Sequence, residues 1–300
     1  MVTTSEARVE AEFEELADKR PLLTAFKDFV RKQPLGTAGM AIVFVMLFAS
    51  AFAPIIAPYD PEANSFEHML TPPNADFLLG TDQFGRDILS RIIYGAQTAL
   101  FVGFTSAFIG ATLGLVLGVA SAFFGGKFDL IFQRIMDIFM SFPLIILALA
   151  VVAIFGTGVQ NVILAITIPF VPRCARVVRS SALAIREIPY IDAARANGFS
   201  NARIILRHMV PNVMAPYLIM ITAFVGQGIL LEASLSYLGL GVQEPTPAWG
   251  LMLQGGAEEY VESAPWVAIW PGVAISLAVF GFNLFGDAVR DTLDPKLRSQ

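Results

Sequence analysis

Charge is scarce in this 300-residue chain: Asp, Glu, Lys and Arg make up 15% of it, where a soluble domain carries about a quarter. A soluble globular reading is therefore excluded at the outset. Cysteine is nearly absent, and the single Cys174 rules out an intrachain disulfide. Histidine is as rare, and His68 and His208 stand too far apart in sequence to give metal-ligand spacing or a Ser/His/Asp arrangement. There is no phosphate-binding loop. The only Gly-Lys pair, Gly126-Lys127, is followed by Phe128 and has Ser121 where the motif needs its first glycine. The basic residues form no nucleic-acid patch, because they fall where a membrane protein keeps its inner loops. A signal peptide is not expected either: the first residues are acidic (Glu6, Glu10, Glu12), and the first apolar run begins near Leu35. Residues 6–31 suit an amphipathic helix with Phe13, Leu16, Leu22, Phe26 and Val30 on one side, within a cytoplasmic tail covering residues 1–36.

What is present is hydrophobic sequence, 55% of the chain, with a mean hydropathy of +0.65. A helix needs about 20 apolar residues to cross a bilayer. Six such stretches are expected: Ala38–Ile56, Gly95–Phe123, Ile135–Phe155, Gln160–Val178, Asn212–Leu231 and Trp266–Phe285. The turn-forming Gly156-Thr-Gly-Val-Gln-Asn161 divides the third from the fourth. Runs this long and uniformly apolar exclude alternating barrel strands, so the expected class is all-α and polytopic, with six transmembrane helices. Six crossings return both termini to one side. Of the 20 Lys and Arg, all but Arg86 and Arg91 then lie on that side or at its helix ends, which makes it cytoplasmic. Trp249, Trp266 and Trp270 sit in or beside the last outer loop, where aromatic rings favour the interface. Gly110, Gly114 and Gly118 recur on one face of the second span and permit close helix contact, either as plain packing or as a sliding surface.

The longest inner loop concentrates the chemistry. Between Arg173 and Arg207 it carries arginines at 173, 176, 179, 186, 195, 203 and 207 against only Glu187 and Asp192. Pro189 suits the first turn of a helix, Gly198 the left-handed residue that ends one, and Ser200 the cap of the next. Pro211 punctuates the start of the fifth span. Two short helices joined at a tight turn near the membrane surface are expected across the loop 186–211. Elsewhere, Asp87 suits the N-cap of the second span, Asp82 and Arg86 a local ion pair on the outer surface, and Arg134 and Asp137 a pair at the start of the third. Glu232 follows a long apolar run, where an ionisable group either lines a pathway or gate or caps and bridges helices.

The pattern Asp192-Ala193-Ala194, Gly198 and Pro211 resembles the EAA loop of ABC-importer permeases, with Asp192 in place of the usual Glu. His208 before Met209-Val210-Pro211 is similar to the peptide-transporter branch. Further motifs follow in the order of the C-type permeases of dipeptide, oligopeptide and nickel importers. They are Ala57-Pro-Tyr-Asp-Pro61, Leu79-Gly-Thr-Asp-Gln-Phe-Gly-Arg-Asp87, Glu232-Ala-Ser-Leu-Ser-Tyr-Leu-Gly-Leu-Gly241, Pro245-Thr-Pro-Ala-Trp-Gly250, and Asn283-Leu-Phe-Gly-Asp287 with Leu293-Asp-Pro295.

That resemblance implies a type I ABC importer permease fold in a bacterial or archaeal plasma membrane, with residues 37–92 as first helix and outer loop, 93–291 as core and 292–300 as inner tail. It implies that Asp192, Ala193, Ala194, Gly198, His208 and Pro211 form a coupling helix docking on an ATPase subunit, with small Ala193 and Ala194 allowing close approach. It also implies two ATPases that bind ATP and Mg in place of any cofactor here, a second homologous permease, and an extracytoplasmic binding protein for which Asp82 and Arg86 are contact candidates. Di- and oligopeptides are the expected cargo, with nickel chelates or oligosaccharides as alternatives. A secondary transporter would show two similar halves with broken helices and midplane charges, and Glu232 is the lone candidate for such a charge.

Overall fold

The computed structural model describes residues 29–293, so most of the amphipathic segment read at 6–31 lies outside the described residues. Helix is the regular structure of those residues, joined by loops, with one isolated antiparallel bridge between Thr81 and Asp87. The helices are α1 (Pro34–Ala51), α2 (Ile88–Phe124), α3 (Gly126–Ser141), α4 (Leu144–Phe155), α5 (Val159–Arg186), α6 (Pro189–Ala196), α7 (Asn201–Tyr237), α8 (Trp249–Glu259) and α9 (Trp266–Leu293). Five of them, α1, α2, α5, α7 and α9, are long and apolar enough to cross a membrane.

The third expected span, Ile135–Phe155, is not one helix. α3 ends at Ser141 and α4 resumes at Leu144 after a 92° bend. Pro143 causes it: the residue before proline is driven out of the helical region, and Phe142 sits at φ −86°, ψ 137°. Alone, α4 has 12 residues, about 18 Å of helix, too short for a bilayer of ~30 Å. The first span also differs: the helix breaks at Phe52, before a separate turn Ala53–Ile56. The other four expected spans lie within longer helices.

Asp87 caps α2 as its position suggests, with Oδ2 accepting from Ser90 N at 2.8 Å and Ser90 Oγ at 2.6 Å. The glycine stripe then sets how closely α2 meets α5. A Cβ at Gly114 would stand 2.6 Å from Cys174 Cβ and 2.9 Å from Val171 O, and one at Gly118 2.6 Å from Ala175 O. α7 closes the other side, with Phe224 stacked on Phe170 of α5 at 4.1 Å between ring centroids. α1 packs on α9, where Gly39 faces Leu284 and Phe285. Gln33 Nε2 reaches Asp291 Oδ2 at 3.3 Å, so the described chain begins and ends at the same end of the bundle. That basic end also holds α6. The opposite end holds the loops 57–87 and 238–265. Trp249, expected at an interface, is instead buried there, with Nε1 donating to Ile92 O at 3.0 Å and its ring against Gly95.

Candidate functional site

At the basic end the loop is built around α6. Pro189 opens the helix after extended Ile188. Gly198, at φ +71°, closes it: Gly198 N donates to Arg195 O at 2.9 Å and Phe199 N to Ala194 O at 3.2 Å, the paired bonds of a left-handed helix stop. Ser200 Oγ accepts from Arg203 N at 3.4 Å at the start of α7. The helix presents two faces. Ile191 and Ala194 are buried in the core, while Tyr190, Asp192, Ala193 and Arg195 are exposed. Expectation had put Ala193 and Ala194 together on a docking face; the structure separates them, because residues one apart on a helix point about 100° away from each other.

The expected two short helices joined at a tight turn are present, Pro189–Ala196 and Asn201–Ile204, but the second does not end there: it continues through irregular helical backbone into the rest of α7. The backbone widens to a π stretch over Ile205–Met209 and tightens to a 3₁₀ turn over Val210–Val213. Pro211 is the physical cause: it has no N–H to give to the carbonyl four residues back, so a regular helix cannot pass through it unbroken. His208, in the π stretch, is stacked on Phe199 at 6.0 Å and 11°. Its carbonyl accepts from Tyr190 Oη at 3.0 Å and Asn212 Nδ2 at 2.7 Å, and Asn212 Nδ2 also donates to Tyr190 Oη at 3.2 Å. The six expected residues therefore form one unit: Asp192, Ala193, Ala194 and Gly198 make the helix and its stop, and His208 and Pro211 shape the foot of α7 beneath it. Tyr190 and Asn212, which tie the two parts together, were missed by sequence reasoning; polar residues beside the helix-breaking prolines were the available signal.

Several arginines of the loop are held within the chain. Arg179 Nε donates to Asp129 Oδ1 of α3 at 2.6 Å, Arg176 pairs with Asp137, and Arg186 Nη1 donates to Ala122 O at 2.7 Å. Asp137 also meets Arg134 at 3.8 Å, as expected. α3 is thus fastened to α5 by its charged side.

At the opposite end, the expected Asp82–Arg86 pair forms at 2.7 Å, but both residues are 4% exposed rather than on the surface. Arg86 also grips Glu244 through Nη1 at 2.6 Å and Nη2 at 3.2 Å. Arg91, fully buried, donates from Nη1 to Pro61 O at 2.9 Å and lies 3.7 Å from Asp82 and 3.5 Å from Glu244. Burial depresses the Arg86 guanidinium, yet the Glu244 hydrogen bond and the charges of Asp82 and Glu244 outweigh it, leaving its pKa above the ordinary arginine value. This cluster joins the loop 57–87 to the loop 238–248. Arg91 and Glu244 were not paired in the sequence reading, although Arg86 and Arg91 were already the two basic residues that broke the charge asymmetry.

Glu232 is fully buried. Its Oε1 accepts from Ser236 Oγ at 2.7 Å, and Ser236 Oγ accepts from Val242 N at 3.1 Å. In this conformation it bridges α7 to its return loop and faces no open surface. No three His, Cys, Asp or Glu among the described residues stand close enough to hold a metal.

A multi-pass helical bundle with a short, partly exposed cross-helix among the arginines at one end is the architecture of a membrane permease. Two inward-facing crystal forms of the MetNI methionine ABC transporter share the fold, with TM-scores of 0.56 and 0.54 at 22% and 23% identity. They cover 69% and 68% of this chain and 98% and 96% of their own. The chain belongs to the family described as binding-protein-dependent transport system inner membrane component, which matches residues 110–299. Residues 24–73 match the N-terminal TM domain of oligopeptide transport permease C. Among its relatives are a putative peptide transport system permease protein of Brucella suis, 40% identical over 93% of this chain and 94% of that one, and the dipeptide transport system permease protein DppC of Alkalihalophilus pseudofirmus, 41% identical over 93% and 91%. The glutathione transport system permease protein GsiD of Escherichia coli is 42% identical over 89% and 88%.

Proposed function

We propose that this chain is one of two permease subunits in a peptide importer of a bacterial or archaeal plasma membrane, crossing it six times with both termini in the cytoplasm. The bent pair α3–α4 counts as one crossing. Cargo of di- or oligopeptide size arrives from an extracytoplasmic binding protein. ATP and Mg are bound by two partner ATPases, and α6 docks on one of them. The names of the relatives support peptide cargo.

One observation carries the coupling role: α6 is anchored by buried Ile191 and Ala194 and tied by Tyr190 to the His208 carbonyl at the foot of α7. A push on its exposed face is thereby transmitted to a helix of 37 residues that traverses the bundle. Transport then follows from two packings of the same helices, with the ATPases biasing which is occupied. Substituting Ala193→Arg tests this. Membrane insertion should stay normal while uptake of labelled tri-alanine and peptide-stimulated ATP hydrolysis are lost. Survival of both would refute docking through α6.

A further inference from the structure

Polar side chains inside spanning helices are costly unless satisfied or wetted. Many here are satisfied: Gln97 Nε2 donates to Ser50 O at 2.8 Å, Thr98 to Pro247 O at 2.8 Å, and Thr112 meets Tyr217 at 2.8 Å. Ser276, though exposed, returns its proton to Gly272 O at 2.8 Å. Buried Thr167 Oγ1 and Glu232 Oε2 lack a partner, and so do two exposed amides. Gln227, past the middle of α7, and Asn283, within α9, are both exposed, and neither makes a hydrogen bond among the described residues. α7 and α9 pack together here: a Cβ placed on buried Gly226 would stand 3.2 Å from Asn283 Oδ1, while Gln227, the next residue, points about 100° further round α7.

Gln227 belongs to a longer open face. Met220, Ala223, Gln227, Leu230, Ser234 and Tyr237 recur at helical spacing, and none is buried. At the upper end of this face, Leu230, Ser234 and Tyr237 line, with Ile145 of α4, a concavity of about 380 Å³. That concavity is lined mainly by aliphatic side chains, and Ser234 Oγ returns its proton to Leu230 O at 2.7 Å, so Gln227 stands out on this face as an exposed amide without a partner. Asp287, exposed one turn beyond Asn283, carries the polar character on toward the basic end.

We infer that Gln227 and Asn283 line the aqueous translocation pathway and hydrogen-bond the cargo there. A side-chain amide offers both donors and an acceptor without charge. It can pair with the N–H and C=O groups of a peptide backbone whatever the side chains of that peptide. The buried Glu232, by contrast, is a strut behind this wall. The inference rests on the permease reading proposed above and adds to it the residues that meet the substrate.

The test is thiol labelling of the transporter, purified with its ATPase partners and reconstituted in vesicles. A charged, membrane-impermeant methanethiosulfonate is applied to Gln227→Cys and, as a second variant, Asn283→Cys. Phe108→Cys on α2, where the native ring is 59% exposed on an apolar face, is the lipid-side control. Native Cys174 is fully buried and gives little background. Because the thiolate is the reactive form and apolar surroundings suppress it, both amide positions should label about tenfold faster than Phe108→Cys. Trapping the complex with ATP and vanadate should change the Gln227→Cys rate. Gln227→Leu should raise the KM for tri-alanine more than it lowers kcat. Labelling no faster than the control in either state would overturn the inference, as would a KM left unchanged; the amides would then pack against another subunit. If the purified complex hydrolyses ATP but these positions stay unlabelled, the pathway assignment alone fails. If no ATPase activity accompanies the chain, the permease reading fails with it.

Discussion

The hydroxyl of Tyr190 on α6 donates to the main-chain carbonyl of His208 at the foot of α7, at 3.0 Å. The contact spans the irregular stretch that Pro211 imposes near the start of α7. It converts a carbonyl left over by irregular backbone into a joint between two elements.

Removing that joint should loosen coupling more than folding. Tyr190→Phe keeps the ring and deletes the donor, a loss of about 1 kcal/mol for a single exposed hydrogen bond. The expected outcome is near-normal thermal stability with fewer peptides imported per ATP hydrolysed. Equal transport stoichiometry in Tyr190→Phe and the parent would show that the joint transmits nothing.

The two alanines of α6 should respond in opposite ways. Ala193 is exposed, so Ala193→Arg leaves the fold intact and weakens ATPase binding by about 2 kcal/mol or more, roughly 30-fold. Ala194 is 5% exposed, and enlarging a packed position costs about 1–3 kcal/mol or more, so Ala194→Leu lowers the unfolding temperature. Detergent melting curves and co-purification of the ATPase distinguish the two effects.

Much of this site was legible in the sequence because it is local chemistry. Pro189, Gly198, Ser200 and Asp87 each mark a helix end through their own backbone or side chain, and each does so in the structure. The five long apolar runs were legible for the same reason. What escaped depends on distant parts of the chain. Arg86 and Arg91 looked like stray outer charges until folding brought Glu244 beside them, and Ala194 looked like Ala193 until the helix acquired a buried side. The bend at Pro143 was hidden because both halves of that segment are apolar, so the period of the pattern carried no trace of the break.

The buried charge cluster should behave as a unit. Arg86→Met leaves Asp82 buried beside one remaining cation, and breaking such a pair costs about 3–5 kcal/mol. The double change Asp82→Asn with Arg86→Met should recover part of that loss. Unfolding in mild detergent, read by intrinsic fluorescence, measures both, and strictly additive losses would contradict the coupling.

Close approach of α2 and α5 depends on the absence of a side chain at Gly114. Gly114→Val meets backbone atoms of Val171 and Ala175 within 2.9 Å, which cannot move as a side chain can, and should cost about 1–3 kcal/mol. The same substitution at Gly272, which has open space around it, should leave the melting temperature nearly unchanged.

Site-directed cross-linking from the exposed face of α6 tests the central claim most directly. With Ala193→Cys as the added thiol and Cys174 buried, a short bifunctional reagent applied to inside-out vesicles should join this chain to an ATPase subunit, with a yield that changes on adding ATP. A position 193 thiol that reacts only from the extracytoplasmic face, or that never joins to the ATPase while transport persists, would contradict the account.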